Sequence, residues 1–112
     1  MTFPKNIHEN YHAHIYFDQP SAGVAKQLRQ QVIEQFSLPV GNFNEKLVGP
    51  HLMWSFSITF TSSDFEALIA WLENHRQSFS VLVHALTGDD LKDHTDFAYW
   101  LGTPVELNLS GL

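Results

Sequence analysis

The run YHAHIYF carries two histidines, His12 and His14, two residues apart, and a third, His84, ends a short apolar stretch far along the chain. Neutral imidazole nitrogens bind borderline divalent metals at about 2.0–2.1 Å, and three such ligands with open positions make a site that can do chemistry. An HxH pair alone is ordinarily two surface-strand histidines. His84 changes that balance if the fold brings it alongside. Two more histidines lie near turns: His51 after Gly49-Pro50, and His94 in the tail segment TGDDLKDHTDFAYWLG. His8 and His75 have no such company and are expected at the surface. With no cysteine in the chain, thiolate metal sites, disulfides and cysteine nucleophiles are excluded.

The elements that must position these rings follow from hydrophobic periodicity. Residues Tyr11 to Phe17 alternate, with Tyr11, Ala13, Ile15 and Phe17 on one face and His12, His14 and Tyr16 on the other. After Pro20-Ser21, Val24, Leu28, Val32 and Phe36 recur at helical spacing until Leu38-Pro39. The sequence predicts a second strand over about Val40 to Val48, a turn at Gly49-Pro50, and a third strand over Leu52 to Thr61. Ser63 and Glu66 have capping-box spacing before a helix bearing Phe65, Leu68, Ile69 and Leu72. A short strand, Phe79 to His84, completes the order β-α-β-β-α-β.

That order predicts an α+β, ferredoxin-like fold, one antiparallel sheet with two helices on one face. Strand one then lies between the third and fourth strands, so His84 falls beside His12 or His14 on the helix-free face. Imidazoles at i and i+2 of a strand are about 7 Å apart at Cβ, close enough to converge on one ion. His12, His14 and His84 are therefore the candidate metal ligands. Residues 88–112 form a C-terminal extension expected to fold back on the sheet, with a short helix around Leu91 to Trp100 and an edge strand over Val105 to Leu109. Asp89, Asp90 and Asp93 are expected in a solvated helix N-terminus. Trp54 and Tyr16 fall on or beside the candidate site.

The rest of the composition narrows the partners. The 112 residues make one domain, 1–112, and 44% hydrophobic content suffices for a core. A formal charge of −6 has the wrong sign for gripping a phosphate backbone, so nucleic acid is not an expected partner. No membrane span or signal-like leader is evident, which points to a cytoplasmic protein and no membrane partner. There is no phosphate-binding glycine loop, no GxSxG elbow and no HExxH helix.

The segments HAHIYF, GPH (residues 49–51) and H-x(2)-TGDDLKDHT-x(4)-WLG, in this order and at this length, resemble the small DOPA 4,5-dioxygenase family. In that pattern a proline usually follows the second and third motif histidines, where this chain has Leu52 and Ala85. The resemblance implies the ferredoxin-like fold and an extradiol dioxygenase that uses iron(II) and O2 to cleave a catechol such as DOPA beside its hydroxyls. Zinc or another divalent ion is the alternative occupant of purified protein. His51 and His94 become candidates for proton transfer at the catechol, and Tyr16 for orienting a substrate hydroxyl. Spacing does not fix the ligand set. A two-histidine, one-carboxylate site would need Asp96 or Glu106, and an all-imidazole set is the preferred reading. The rival from another class is a non-catalytic ferredoxin-like protein that binds a metal or small ligand on the open face, with a homodimer open as its assembly.

Overall fold

A computed structural model describes residues 3–112. The chain runs β1 (Asn10–Phe17), α1 (Ala22–Gln35), β2 (Trp54–Thr61), α2 (Ser62–His75), β3 (Val81–Ala85), α3 (Asp90–Asp93) and β4 (Ala98–Leu101). The four strands form one antiparallel sheet in the order β2-β1-β3-β4. None of the helices described is long and apolar enough to cross a membrane.

Alternation in the strands dictates two unlike faces. Tyr11, Ala13, Ile15 and Phe17 of β1 join Phe56, Ile58 and Phe60 of β2, Val81 and Val83 of β3, and Tyr99 and Leu101 of β4 in one buried core. Ala25, Leu28 and Val32 of α1 and Phe65, Leu68, Ile69 and Leu72 of α2 pack into the same core, so both helices cover this face. The Tyr11 and Phe60 rings, opposite each other in the β1–β2 ladder, stack 5.3 Å apart. The other face is left to His12, His14, Tyr16, Leu82 and His84.

Three local expectations give way. Residues 40–48 form no regular strand: Val40 bridges Ile58 and Asn44 bridges Ser55, and nothing more regular connects them. The Arg29 guanidinium takes the Gly41 carbonyl at 2.8 and 3.0 Å, and Phe43 turns inward to stack on Phe17 at 4.4 Å. These two contacts draw the segment off the ladder. Leu91 to Trp100 is no single helix. A short turn of α3 gives way to β4, whose Tyr99 and Leu101 enter the core while Trp100 faces the other way, opposite Leu82. β3 thus gains its second neighbour from the C-terminal extension. The chain then leaves at Gly102, which has φ 75° and where a Cβ would lie 2.6 Å from Arg76 Nη1. Residues 105–109 add a single bridge, His51 to Leu107, in place of an edge strand.

The N-terminus of α2 also shifts by two residues. Thr61 and Asp64 hold the capping-box positions instead of Ser63 and Glu66, and the Asp64 carboxylate accepts from Thr61 N at 3.2 Å and Thr61 Oγ1 at 3.0 Å. Urea unfolding should separate the two assignments. Thr61→Ala is expected to cost about 1 kcal/mol, and Ser63→Ala to stay within about 0.5 kcal/mol.

Candidate metal centre

The β1–β3 register places His12 opposite His84, with His14 opposite Leu82 on the same face. One nitrogen from each of His12, His14 and His84 lies within 4.8 Å of the others. His14 Nε2 and His84 Nε2 stand 2.9 Å apart, and the His12 ring is 5.4 Å from each of the other two rings. The long separation in sequence is closed by the ladder alone, as the order of strands predicts.

Two further rings join from outside the sheet. His51 packs on His14 with centroids 4.1 Å apart, and His94 packs on His84 at 4.2 Å. His51 and His94 are themselves 6.3 Å apart. His51 is held by the Val48–His51 turn and the bridge to Leu107. His94 caps the C-terminal end of α3, and its Nδ1 lies 2.8 Å from the Asp90 carbonyl. Tyr16 is 1% exposed, and its hydroxyl meets His51 Nδ1 at 2.6 Å instead of facing the open site. The five histidines singled out in the sequence as candidate ligands or proton carriers, His12, His14, His51, His84 and His94, therefore reach one cluster.

The protonation states suit a cation. Burial, with His51 and His84 close by, holds His14 well below the usual imidazole range, and burial lowers His12 as well. His84 is pushed down to about 3 and His51 to about 4, in both cases chiefly by burial. Neutral imidazole is the form that ligates. The His84 Nδ1 faces the Ala85 carbonyl at 2.8 Å; a carbonyl only accepts, so the hydrogen sits on Nδ1 and Nε2 presents a lone pair. Two ligand nitrogens about 2.1 Å from one ion and at right angles around it lie about 3.0 Å apart, so the His14–His84 spacing fits a shared metal.

The surroundings differ from the sequence expectation in several places. Asp93 is not part of a solvated helix end: it is 2% exposed, and its carboxylate accepts from Thr87 N at 2.9 Å and Thr87 Oγ1 at 2.7 Å, closing the loop that carries His94. Asp89 is exposed and accepts from Lys92 N, as an N-cap should. Asp96 and Glu106 are exposed, and among the described residues no carboxylate joins the three converging nitrogens. Trp54 turns to the core side, edge-on to Phe17, whereas Trp100 lies 6.0 Å from the Tyr16 ring on the histidine face. The alternation of Ala98, Tyr99, Trp100 and Leu101 was the signal for that placement. His75 is exposed and stacks on Trp71. His8 is half-buried against Phe97 at 4.6 Å instead of lying at the surface. Leu52 is 45% exposed and lines, with Leu47, Met53 and Trp54, an open cavity of about 220 Å³. The Ala85 N–H donates to the Phe97 carbonyl, a bond that proline at this position could not make.

The depressed histidines set a pH dependence with a definite sign. Above the unfolded imidazole value of 6.5, neither state binds a proton at His51 or His84; below it the unfolded chain takes up protons that the folded chain refuses until about pH 4 and pH 3. Chelator-treated protein should therefore lose stability steadily as pH falls from about 6.5 to about 4, each ring adding a slope of up to about 1.4 kcal/mol per pH unit. Urea unfolding at stepped pH reads this directly, and His84→Gln should flatten the slope. An unchanged midpoint between pH 7 and pH 5 would mean that the rings are hydrated.

A sequence profile described as the Dopa 4,5-dioxygenase family matches residues 11–111. A DOPA 4,5-dioxygenase from Amanita muscaria is 33% identical over 93% of this chain, and a 21.2 kDa uncharacterized protein from Botryotinia fuckeliana is 34% identical over 89% of it. The chain spans 50% and 61% of the lengths of these two relatives. The crystal structure of a candidate dioxygenase from Nostoc punctiforme superposes with a TM-score of 0.86 at 34% identity, covering 90% of this chain and 88% of that one. With the profile spanning nearly the whole sequence and the same fold in a relative of similar length, this chain belongs to the Dopa 4,5-dioxygenase family.

Proposed function

We propose that this protein is an extradiol dioxygenase that opens the ring of a small catechol, DOPA or a close analogue, using O2 and an iron(II) held by His12, His14 and His84. The observation that carries the reading is the meeting of three ring nitrogens within 4.8 Å on the sheet face opposite α1 and α2. In the net reaction the carbon–carbon bond beside the hydroxyl pair breaks, both oxygen atoms enter the product, and the opened chain ends in an aldehyde and a carboxylate. Iron(II) with open positions supplies the place where the catechol and O2 meet and exchange electrons. Imidazole ligands also suit zinc, which is then an inactive occupant.

The remaining work falls to the chain itself. His94, with its Nδ1 hydrogen committed to the Asp90 carbonyl, offers its other nitrogen to a catechol hydroxyl, and His51 stands 6.3 Å away beside His14. These two rings are the proton carriers in this reading. Leu82 and Tyr16, both buried, with Trp100 beside Tyr16, floor the site with apolar surface, which strengthens each hydrogen bond made above it.

Anaerobic reconstitution with iron(II), followed by O2 and a panel of DOPA and simple catechols, should give a yellow semialdehyde product with equimolar O2 uptake. His14→Ala and His84→Ala should lose bound metal and turnover together. His94→Gln should keep the metal and lower kcat by about 100-fold or more. Stoichiometric metal binding with no O2 uptake on any catechol would replace this reading with that of a metal- or ligand-binding protein.

A further inference from the structure

The Tyr16 hydroxyl and His51 Nδ1 lie 2.6 Å apart in a buried setting, and among the described residues neither atom has a second hydrogen-bond partner. A ring nitrogen either donates or accepts, whereas a phenol has one hydrogen that must find an acceptor. If His51 donated from Nδ1, the phenolic hydrogen would point into the protein interior with nothing to receive it, and a buried unpaired donor is strongly disfavoured. With Tyr16 donating, both groups are satisfied. A phenol, with an ordinary pKa of about 10, keeps its hydrogen at neutral pH. The neutral His51 ring must then carry its own hydrogen on Nε2.

His94 is wired the other way. Its Nδ1 faces a backbone carbonyl, that of Asp90, at 2.8 Å, so in the neutral ring the hydrogen sits on Nδ1 and Nε2 is bare. Opposite tautomers thus flank the three converging rings, His51 against His14 and His94 against His84.

Building on the dioxygenase reading above, we propose that Tyr16 is a positioning residue that fixes His51 as an N–H donor opposite the acceptor nitrogen of His94, so that the site binds a vicinal diol in one polarity. One substrate oxygen accepts from His51 Nε2–H, and the neighbouring hydroxyl donates to His94 Nε2. A ligand with two donors or two acceptors in place of that pair leaves one ring unmatched. The same wiring keeps His51 out of the metal's ligand set, because the nitrogen free to ligate already holds a hydrogen.

Long-range proton–nitrogen correlation spectra of the full chain, labelled with 15N-histidine and recorded metal-free and zinc-loaded, read the tautomers without reference to turnover; His51→Gln assigns the His51 signals. His51 is expected with its hydrogen on Nε2 in both forms, and His94 with its hydrogen on Nδ1. In Tyr16→Phe, the His51 Nδ1 resonance should move toward that of an unbonded nitrogen while His94 stays in place. In the iron(II) enzyme, the same substitution should lower kcat about tenfold or more and leave KM and iron content within about twofold. A hydrogen on His51 Nδ1 in the wild-type chain, or a His51 Nδ1 resonance unmoved in Tyr16→Phe, would overturn the assignment. The wild-type spectrum decides the tautomer even if Tyr16→Phe does not fold. Absence of turnover on every catechol would remove the dioxygenase reading and leave the tautomer question to be settled by the spectra.

Discussion

The pairing of β1 with β3 is the constraint on which the rest of the site depends. It sets His12 opposite His84 and brings His14 within one rung of both, and this ladder is the shortest link between two segments that lie far apart in the chain. Because side chains alternate with a period of two, a slip of one residue would send these rings into the helix-covered core and turn Ala13 and Ile15 toward the metal face. The apolar packing of Tyr11, Ala13, Ile15 and Phe17 against α1 and α2 therefore fixes the register of the histidines as well as the core. Stability and site geometry are decided by the same contacts.

Burying several imidazoles together is unfavourable for their charged forms, which holds His12, His14, His51 and His84 below the usual imidazole range, and the fold supplies partners that assign ring hydrogens. The Ala85 carbonyl takes the His84 Nδ1 hydrogen, the Asp90 carbonyl takes that of His94, and Tyr16 engages His51. Two of these three partners are backbone oxygens, which cannot change their role as acceptors. On His84 a lone pair is thereby left where a cation would have to be bound, and none of these rings can turn to another partner without breaking a bond already made.

The C-terminal extension contributes more than a cover. α3 and the bonds of buried Asp93 to Thr87 hold the loop that delivers His94, and β4 completes the sheet while placing Trp100 beside Tyr16. On the other side, the backbone bond from Asn108 to the Pro50 carbonyl and the bridge between His51 and Leu107 tether the turn that delivers His51. Both proton-carrying candidates therefore stand on segments anchored by the last quarter of the chain, whereas the three candidate ligands stand on the sheet itself.

The amino-acid sequence by itself determined β1, α1, β2, α2 and β3, their layering and the single face on which His12, His14 and His84 must meet, because period-two and period-3.6 patterns are local and the strand order follows from them. It also carried the motifs that place the chain in its family. Tertiary structure alone decided how residues 40–48 and the tail are used, since Arg29 capturing the Gly41 carbonyl and Phe43 stacking on Phe17 join residues that no local pattern links. The burial of Asp93 and the hydroxyl of Tyr16 spent on His51 belong to the same class. A polar residue looks solvated in a sequence until a partner from elsewhere in the chain removes the water from around it, and only the folded chain supplies that partner.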